Sequence, residues 1–261
     1  MSVNRFRSGS VGVIELNRPD KFNCLSSDLM SEIGAALAEF EADPNVRSIL
    51  LCAAGKNFCT GADLDEVERT RDDKAGLNRF IRCGNAALAS LEESPLPVVV
   101  AVQGLCLAGG LELMMAVDVC FAAADARFGD QHARYGLVPG WGGSQRLPRL
   151  VGLRNALDIL YSARWLSAEE ARTVGLVNHV AEPAALRAAA LDYCGTLGTR
   201  SPAGLARMKR LARNGINMSL AEAIEMERLA VVPHLYGADT AEGLDAFRSR
   251  REPRFSWEPD R

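Results

Sequence analysis

Apolar residues recur along this chain in two rhythms that take turns. Val11 to Leu16 and Val46 to Cys52 are short runs of Val, Ile and Leu bounded by Gly, Pro, Asn or charged residues, which is how strands read. Between them Leu29, Ile33, Ala36, Leu37 and Phe40 return at three- and four-residue spacing, and Ser26 and Ser27 ahead of them can cap the helix this spacing predicts. Leu77, Phe80, Ile81, Leu88 and Leu91 predict a second helix, stopped by Pro95 and Pro97 before the apolar run Val98 to Val102, a fully buried strand by its composition. A glycine-rich turn over Gly104 to Gly110, a helix from Gly110 to Ala116 and an apolar segment from Val117 to Ala122 follow. This alternation predicts an α/β fold whose sheets are covered by helices.

The end of the chain has a different pattern. After about Pro202 the spacing is helical almost throughout, with Leu205, Met208 and Leu211, then Leu220, Ile224 and Leu229, then Leu244 and Phe247. Helices set apart in this way pack against another surface of the same protein or against a partner subunit. A boundary near Arg200 therefore separates a core, residues 1–200, from a helical region, residues 201–261, expected to serve oligomerisation.

Composition narrows the classes. The 261 residues can bury a substantial core, and 48% hydrophobic with 24% charged residues is ordinary globular usage. A formal net charge of −3 gives no sign of a surface built for phosphate backbones, so nucleic acid is not the expected partner. The seven cysteines form no C-x-x-C pair and lie mostly in apolar stretches, which fits buried free thiols better than a metal site or a disulfide framework. Met1 to Ser10 is polar, and no apolar run reaches the ~20 residues needed to span a bilayer, so no membrane association and a cytoplasmic location are expected.

Two glycine-bearing segments, Gly55 to Leu64 and Gly104 to Leu113, each follow a predicted buried strand. Glycine lets a backbone turn sharply and approach a ligand closely, so both segments could present N–H groups; either one alone reads more readily as an ordinary turn. At the second segment the N–H groups would also lie at a helix start, where partial positive charge favours a developing anion. Glu112 falls in the first turn of that helix among Leu111, Leu113, Met114 and Met115. A carboxylate in such company is a helix-start acid, half of an ion pair, or an acid–base group.

Taken together the motifs resemble the enoyl-CoA hydratase/isomerase, or crotonase, family. The resemblance runs from Asn17-Arg18-Pro19-Asp20-Lys21-Phe22-Asn23 through both glycine segments to Phe128-Gly129, Pro139-Gly140-Trp141-Gly142-Gly143-Ser144-Gln145-Arg146-Leu147 and Gly175-Leu176-Val177, ending over Phe247 to Phe255. It implies a crotonase-type spiral of ββα units with a C-terminal helical region, assembled as a homotrimer or dimer of trimers. It also implies an acyl-coenzyme A thioester as substrate partner, with coenzyme A entering as part of that substrate and no tightly bound cofactor or metal. Matched by position, the backbone N–H groups of Ala62, after Gly61, and of Gly109 would hold the thioester oxygen. Loss of one such donor typically costs ~2.7 to 4 kcal/mol of transition-state stabilisation. By the same matching Glu112 stands where the hydratases carry one of two catalytic glutamates, and coenzyme A recognition falls on Asp20, Lys21 and Phe22 and on Thr60, Gly61, Ala62, Asp63 and Leu64.

Trp141 stands where relatives commonly have a small residue, and would narrow the acyl pocket or serve packing, but the main departure from the family pattern lies elsewhere. The second catalytic glutamate of the hydratases is replaced by His132, which can itself give and take protons near neutral pH or serve only as a structural hydrogen-bonding group. Three functions stay open on this reading: hydration of a 2-enoyl-CoA, hydrolysis of a thioester or β-diketone by the same water, and a catalytically weak acyl-CoA-binding or RNA-binding scaffold.

Overall fold

The computed structural model describes residues 1–256; the last five residues of the predicted 201–261 region lie outside the described part. The chain opens with an antiparallel pair, β1 (Val3–Ser8) and β2 (Val11–Leu16), followed by α1 (Ser27–Ala42) and β3 (Ser48–Ala53). Then come α2 (Leu64–Thr70), α3 (Lys74–Glu93), β4 (Val98–Val102), β5 (Leu105–Leu107), α4 (Gly109–Met115), β6 (Val119–Ala123) and β7 (Arg127–Gly129). The remainder is α5 (Gly143–Val151), α6 (Leu153–Ser162), β8 (Leu166–Ser167), α7 (Ala168–Thr173), β9 (His179–Ala181), α8 (Leu186–Leu197), α9 (Pro202–Gly215), α10 (Leu220–Leu235) and α11 (Ala238–Ser249).

Two sheets organise the core. The larger runs in the order β1-β2-β3-β4-β6-β9, parallel from β2 onward, and the smaller in the order β5-β7-β8. Parallel strands are covered on both faces and read as unbroken apolar runs; accordingly every residue of β3 and β4 is buried. The predicted start of β3 at Val46 is two residues early, because Val11 of β2 pairs with Ser48 and leaves Val46 in the preceding turn. In α1, Ser26 accepts from the Leu29 N–H as N-cap, and Leu29, Met30, Ile33, Ala36, Leu37 and Phe40 are buried. Each fully buried large side chain on that face stabilises the fold by roughly 1.5–3 kcal/mol.

The C-terminal helices are tied to this core through charge as well as apolar contact. From α9, Lys209 Nζ and Arg213 Nη2 each stand 2.8 Å from an oxygen of Asp118, and Lys209 also donates to the carbonyls of Leu91 and Leu96. Large apolar side chains on α10 and α11, among them Leu220, Ile224, Leu229 and Phe247, are more than half exposed.

Candidate active site

Both predicted donor segments leave the C-terminal ends of adjacent parallel strands, the usual location of ligand sites in such sheets. After β3 the chain runs beside β5, with Cys59 N–H donating to Leu105 O and Leu107 N–H to Cys59 O. Gly61 then takes φ +108°, a conformation that favours glycine, and breaks the strand-like alternation. Leu25 N–H bonds Gly61 O and Asp63 N–H bonds Leu25 O, so the intervening Ala62 N–H points away from Leu25.

The Ala62 nitrogen lies close to the start of α4. A Cβ placed on Gly109 would sit 3.3 Å from Ala62 N, and one on Gly61 would sit 3.1 Å from Gly109 N. The two amide nitrogens are therefore no more than about 6 Å apart, the separation at which two donors of normal hydrogen-bond length can meet on one oxygen. Neither amide donates to an acceptor among the described residues. The residue before Gly109 is strained: Ala108 adopts φ 48°, ψ −119°, while its own N–H is held by Gly129 O at 2.9 Å. Strain of this kind costs of order 1–3 kcal/mol and persists where the surroundings enforce it. Here it aims the first N–H of α4.

Glu112 lies one turn into α4 and is almost wholly buried. Its Oε1 accepts from Trp141 N–H at 2.8 Å and from Gly143 N–H at 2.7 Å, while Oε2 has no partner among the described residues. A Cβ on Gly143 would crowd Glu112 Cγ and Oε1 at 3.1 Å, so any larger residue there would have to push the carboxylate aside. Burial raises the Glu112 carboxyl above the ordinary range; the two amide hydrogen bonds and nearby His132 oppose this without cancelling it. The group is held by one oxygen and free to take a proton on the other.

His132 follows β7, with its side chain 13% exposed, and its Nδ1 lies 3.0 Å from Oδ2 of Asp130, which is 2% exposed. Burial alone would lower the His132 pKa, but the Asp130 hydrogen bond and the charges of Asp130 and Glu112 outweigh it and raise the value. Glu112 and His132 thus lie near enough to act on one another's charge, as members of one candidate site would. The ring of Trp141 completes it. That ring is buried with no hydrogen-bond partner for Nε1 among the described residues, packs tilted at 55° against Phe80, and fills the space that Cβ atoms on Gly84 and Gly109 would need.

The segment expected to meet coenzyme A is adjacent. Asp20 and Lys21 lie in a short 3-10 turn, Pro19–Lys21, followed by Phe22 and Asn23, both at positive φ. Thr60 N–H bonds Phe22 O, so the segments 20–22 and 60–64 lie side by side. Lys21 Nζ bonds Asp65 Oδ2 at 2.8 Å, and Phe22 and Leu64 are more than half exposed. Asp63 is largely buried; it caps α2 and pairs with Arg18 at 2.8 Å, which gives it a framework duty. His179 packs against Phe121 and Tyr193, and His234 bonds Arg207, both away from the acid–base groups. Among the described residues all seven cysteines are free and no cluster of His, Cys, Asp or Glu could hold a metal.

Sequence reasoning places Asp130 close to His132 without giving its direction, and it missed the paired amides of Trp141 and Gly143. The D-x-H spacing was visible, but its geometry depends on Gln131 at φ 62°. The amides are main-chain groups and leave only Gly143 as a trace.

The model of the enoyl-CoA hydratase/isomerase family matches residues 7–258. A short-chain-enoyl-CoA hydratase of Clostridium acetobutylicum is 33% identical over 94% of each chain, and the mitochondrial methylglutaconyl-CoA hydratase of Rattus norvegicus is 33% identical over 94% of this chain and 79% of its own. Among solved structures, an enoyl-CoA hydratase from Bacillus anthracis superposes with a TM-score of 0.94 at 32% identity, covering 99% of this chain and 100% of that one. With the expected α/β crotonase-type fold shared at this level, the chain belongs to the enoyl-CoA hydratase/isomerase family.

Proposed function

We propose that this protein catalyses the reversible addition of water to a 2-enoyl-CoA, giving a 3-hydroxyacyl-CoA. The observation that carries the reading is the pair of uncommitted amides, Ala62 and Gly109, lying close together beside Glu112. Attack of water at C3 drives charge onto the thioester oxygen, and fixed donors in a shielded site stabilise that charge. Oε2 of Glu112 takes a proton from the attacking water, and the His132 imidazolium delivers a proton to C2. One water is thereby added across the double bond, and the two residues are restored when a proton passes back between them or through solvent.

Coenzyme A is placed over Asp20 to Phe22 and Thr60 to Leu64, with Lys21 near a phosphate. The C-terminal region, beginning near Arg200, is assigned to assembly as a homotrimer or dimer of trimers, supported by the exposed apolar side chains of α10 and α11. No helix among the described residues is long and apolar enough to cross a membrane, and a cytoplasmic location is part of the proposal.

Incubation with crotonyl-CoA tests the reaction. Loss of the conjugated enoyl-thioester absorbance without release of free thiol is expected. Thiol release instead would favour thioester hydrolysis, and no turnover across short and medium chains would rule out the hydratase.

A further inference from the structure

The replacement of a catalytic glutamate by His132 leaves open what holds the imidazole. Asp130 is almost wholly buried, and among the described residues its carboxylate has two partners, both on His132: the backbone N–H to Oδ1 at 3.2 Å and Nδ1 to Oδ2 at 3.0 Å. A carboxylate accepts hydrogen bonds, so Nδ1 carries the proton, and in the neutral ring Nε2 is left as the basic nitrogen. Gln131, between the two residues, is locked at φ 62° with its side-chain amide donating to Ala163 O at 2.5 Å, which fixes the turn that brings Asp130 and His132 together.

We propose that Asp130 is a positioning residue that selects the His132 tautomer and turns Nε2 toward C2 of the bound acyl group. Resting on the acyl-CoA reading above, the inference assigns C2 proton transfer to an imidazole–carboxylate pair in place of a second glutamate. For a saturated acyl-CoA the step balances without water. Nε2 takes a proton from C2, the C–H electron pair moves into the enolate whose oxygen is held by Ala62 and Gly109, and return of a solvent-derived proton regenerates the thioester. The charges acting on His132 are Asp130 from its own turn and Glu112 from α4. From α6, packed on that turn, come Arg154, Asp158 and Tyr161; Asp158 is taken by Arg164, and none of the three bonds His132.

The test uses butyryl-CoA, which has no double bond to hydrate, so the exchange is independent of the hydratase activity. In D2O the full-length protein is expected to exchange the C2 protons, read by mass spectrometry, with a rate that rises as His132 deprotonates. Asp130→Asn should bind butyryl-CoA as the native protein does by calorimetry, yet exchange roughly 10²- to 10⁴-fold more slowly with its pH midpoint moved down. Asp130→Glu should recover part of the rate. In the native protein, 15N spectra of the neutral His132 ring, identified by its loss in His132→Gln, should show the proton on Nδ1; this holds even if the Asp130 variants do not fold. Native rate and midpoint in Asp130→Asn, a proton on Nε2, or bound butyryl-CoA with no exchange would each overturn the inference. A protein that hydrates nothing yet exchanges C2 protons would refute the hydratase while supporting the inference, and failure to bind butyryl-CoA would overturn both.

Discussion

Gly109→Ala is the smallest change that separates a steric role from a catalytic one. Gly109 has no positive φ, so alanine fits its helical backbone, and in propensity alone it would stabilise α4 by up to about 1 kcal/mol. The added methyl, however, would stand 2.6 Å from Cζ3 and 2.9 Å from Cε3 of Trp141, and 3.3 Å from Ala62 N. The indole has little room to retreat, since its Nε1 is already packed where a Cβ on Gly84 would be, at 2.2 Å. Overpacking of this kind costs roughly 1–3 kcal/mol, enough to cancel or exceed the propensity gain. A net loss of 1–2 kcal/mol lowers the melting temperature by only a few degrees, at about 2–4 °C per kcal/mol for a protein near this size. The catalytic effect should be much larger. A methyl pressed between the two amides obstructs the oxygen they are proposed to share, and loss of one such donor is worth about 10²- to 10³-fold in kcat. Steady-state kinetics on crotonyl-CoA beside a thermal melt measure the two effects together. Wild-type kcat/KM with a small fall in melting temperature would refute the reasoning.

Glu112→Gln keeps an oxygen for the amides of Trp141 and Gly143 but removes the base, so kcat should fall roughly 10²- to 10⁴-fold with little change in melting temperature. Hydration of crotonyl-CoA should show a bell-shaped pH profile. Because Glu112 must be ionised and its pKa is raised, the acid limb should lie above the ordinary glutamate value of about 4.3; because His132 must be protonated and its pKa is raised, activity should fall on the basic side only above about 6.5. Asp63→Ala removes both the α2 cap and the partner of Arg18, and should destabilise the protein by about 1–3 kcal/mol in urea unfolding while raising KM for the CoA thioester more than it lowers kcat. Trp141→Ala should open space beside Gly109 and raise kcat/KM for octenoyl-CoA relative to crotonyl-CoA; an unchanged ratio would mean that the ring does not bound the acyl site.

Much of the fold and of the candidate site was legible in the chain because the residues proposed to carry the chemistry leave marks. Gly61 takes a positive φ, Gly110 lies against the Cys59 backbone and Gly109 against the ring of Trp141, and Glu112 interrupts an apolar helix. The buried strands β3 and β4 announced themselves as continuous apolar runs. Other elements gave weaker signals. β1 is an edge strand, largely exposed and therefore polar, and β5 spans only three residues within what reads as a glycine turn. α2 shows no buried residue, so periodicity had nothing to reveal there. The link between Asp130 and His132 was hidden for another reason: which way two neighbouring side chains face depends on one backbone dihedral at Gln131, and no residue type enforces it.

The proposed reaction rests on one carbonyl oxygen being bound by two amides from separate loops. A crystal structure of the complex with acetoacetyl-CoA, a thioester that cannot be hydrated, measures this directly. The thioester oxygen is expected at roughly 2.7–3.1 Å from both Ala62 N and Gly109 N, with Glu112 Oε2 and His132 Nε2 on the acyl carbons beside it. A thioester oxygen bound by neither amide, with the acyl chain directed away from Glu112, would contradict the account.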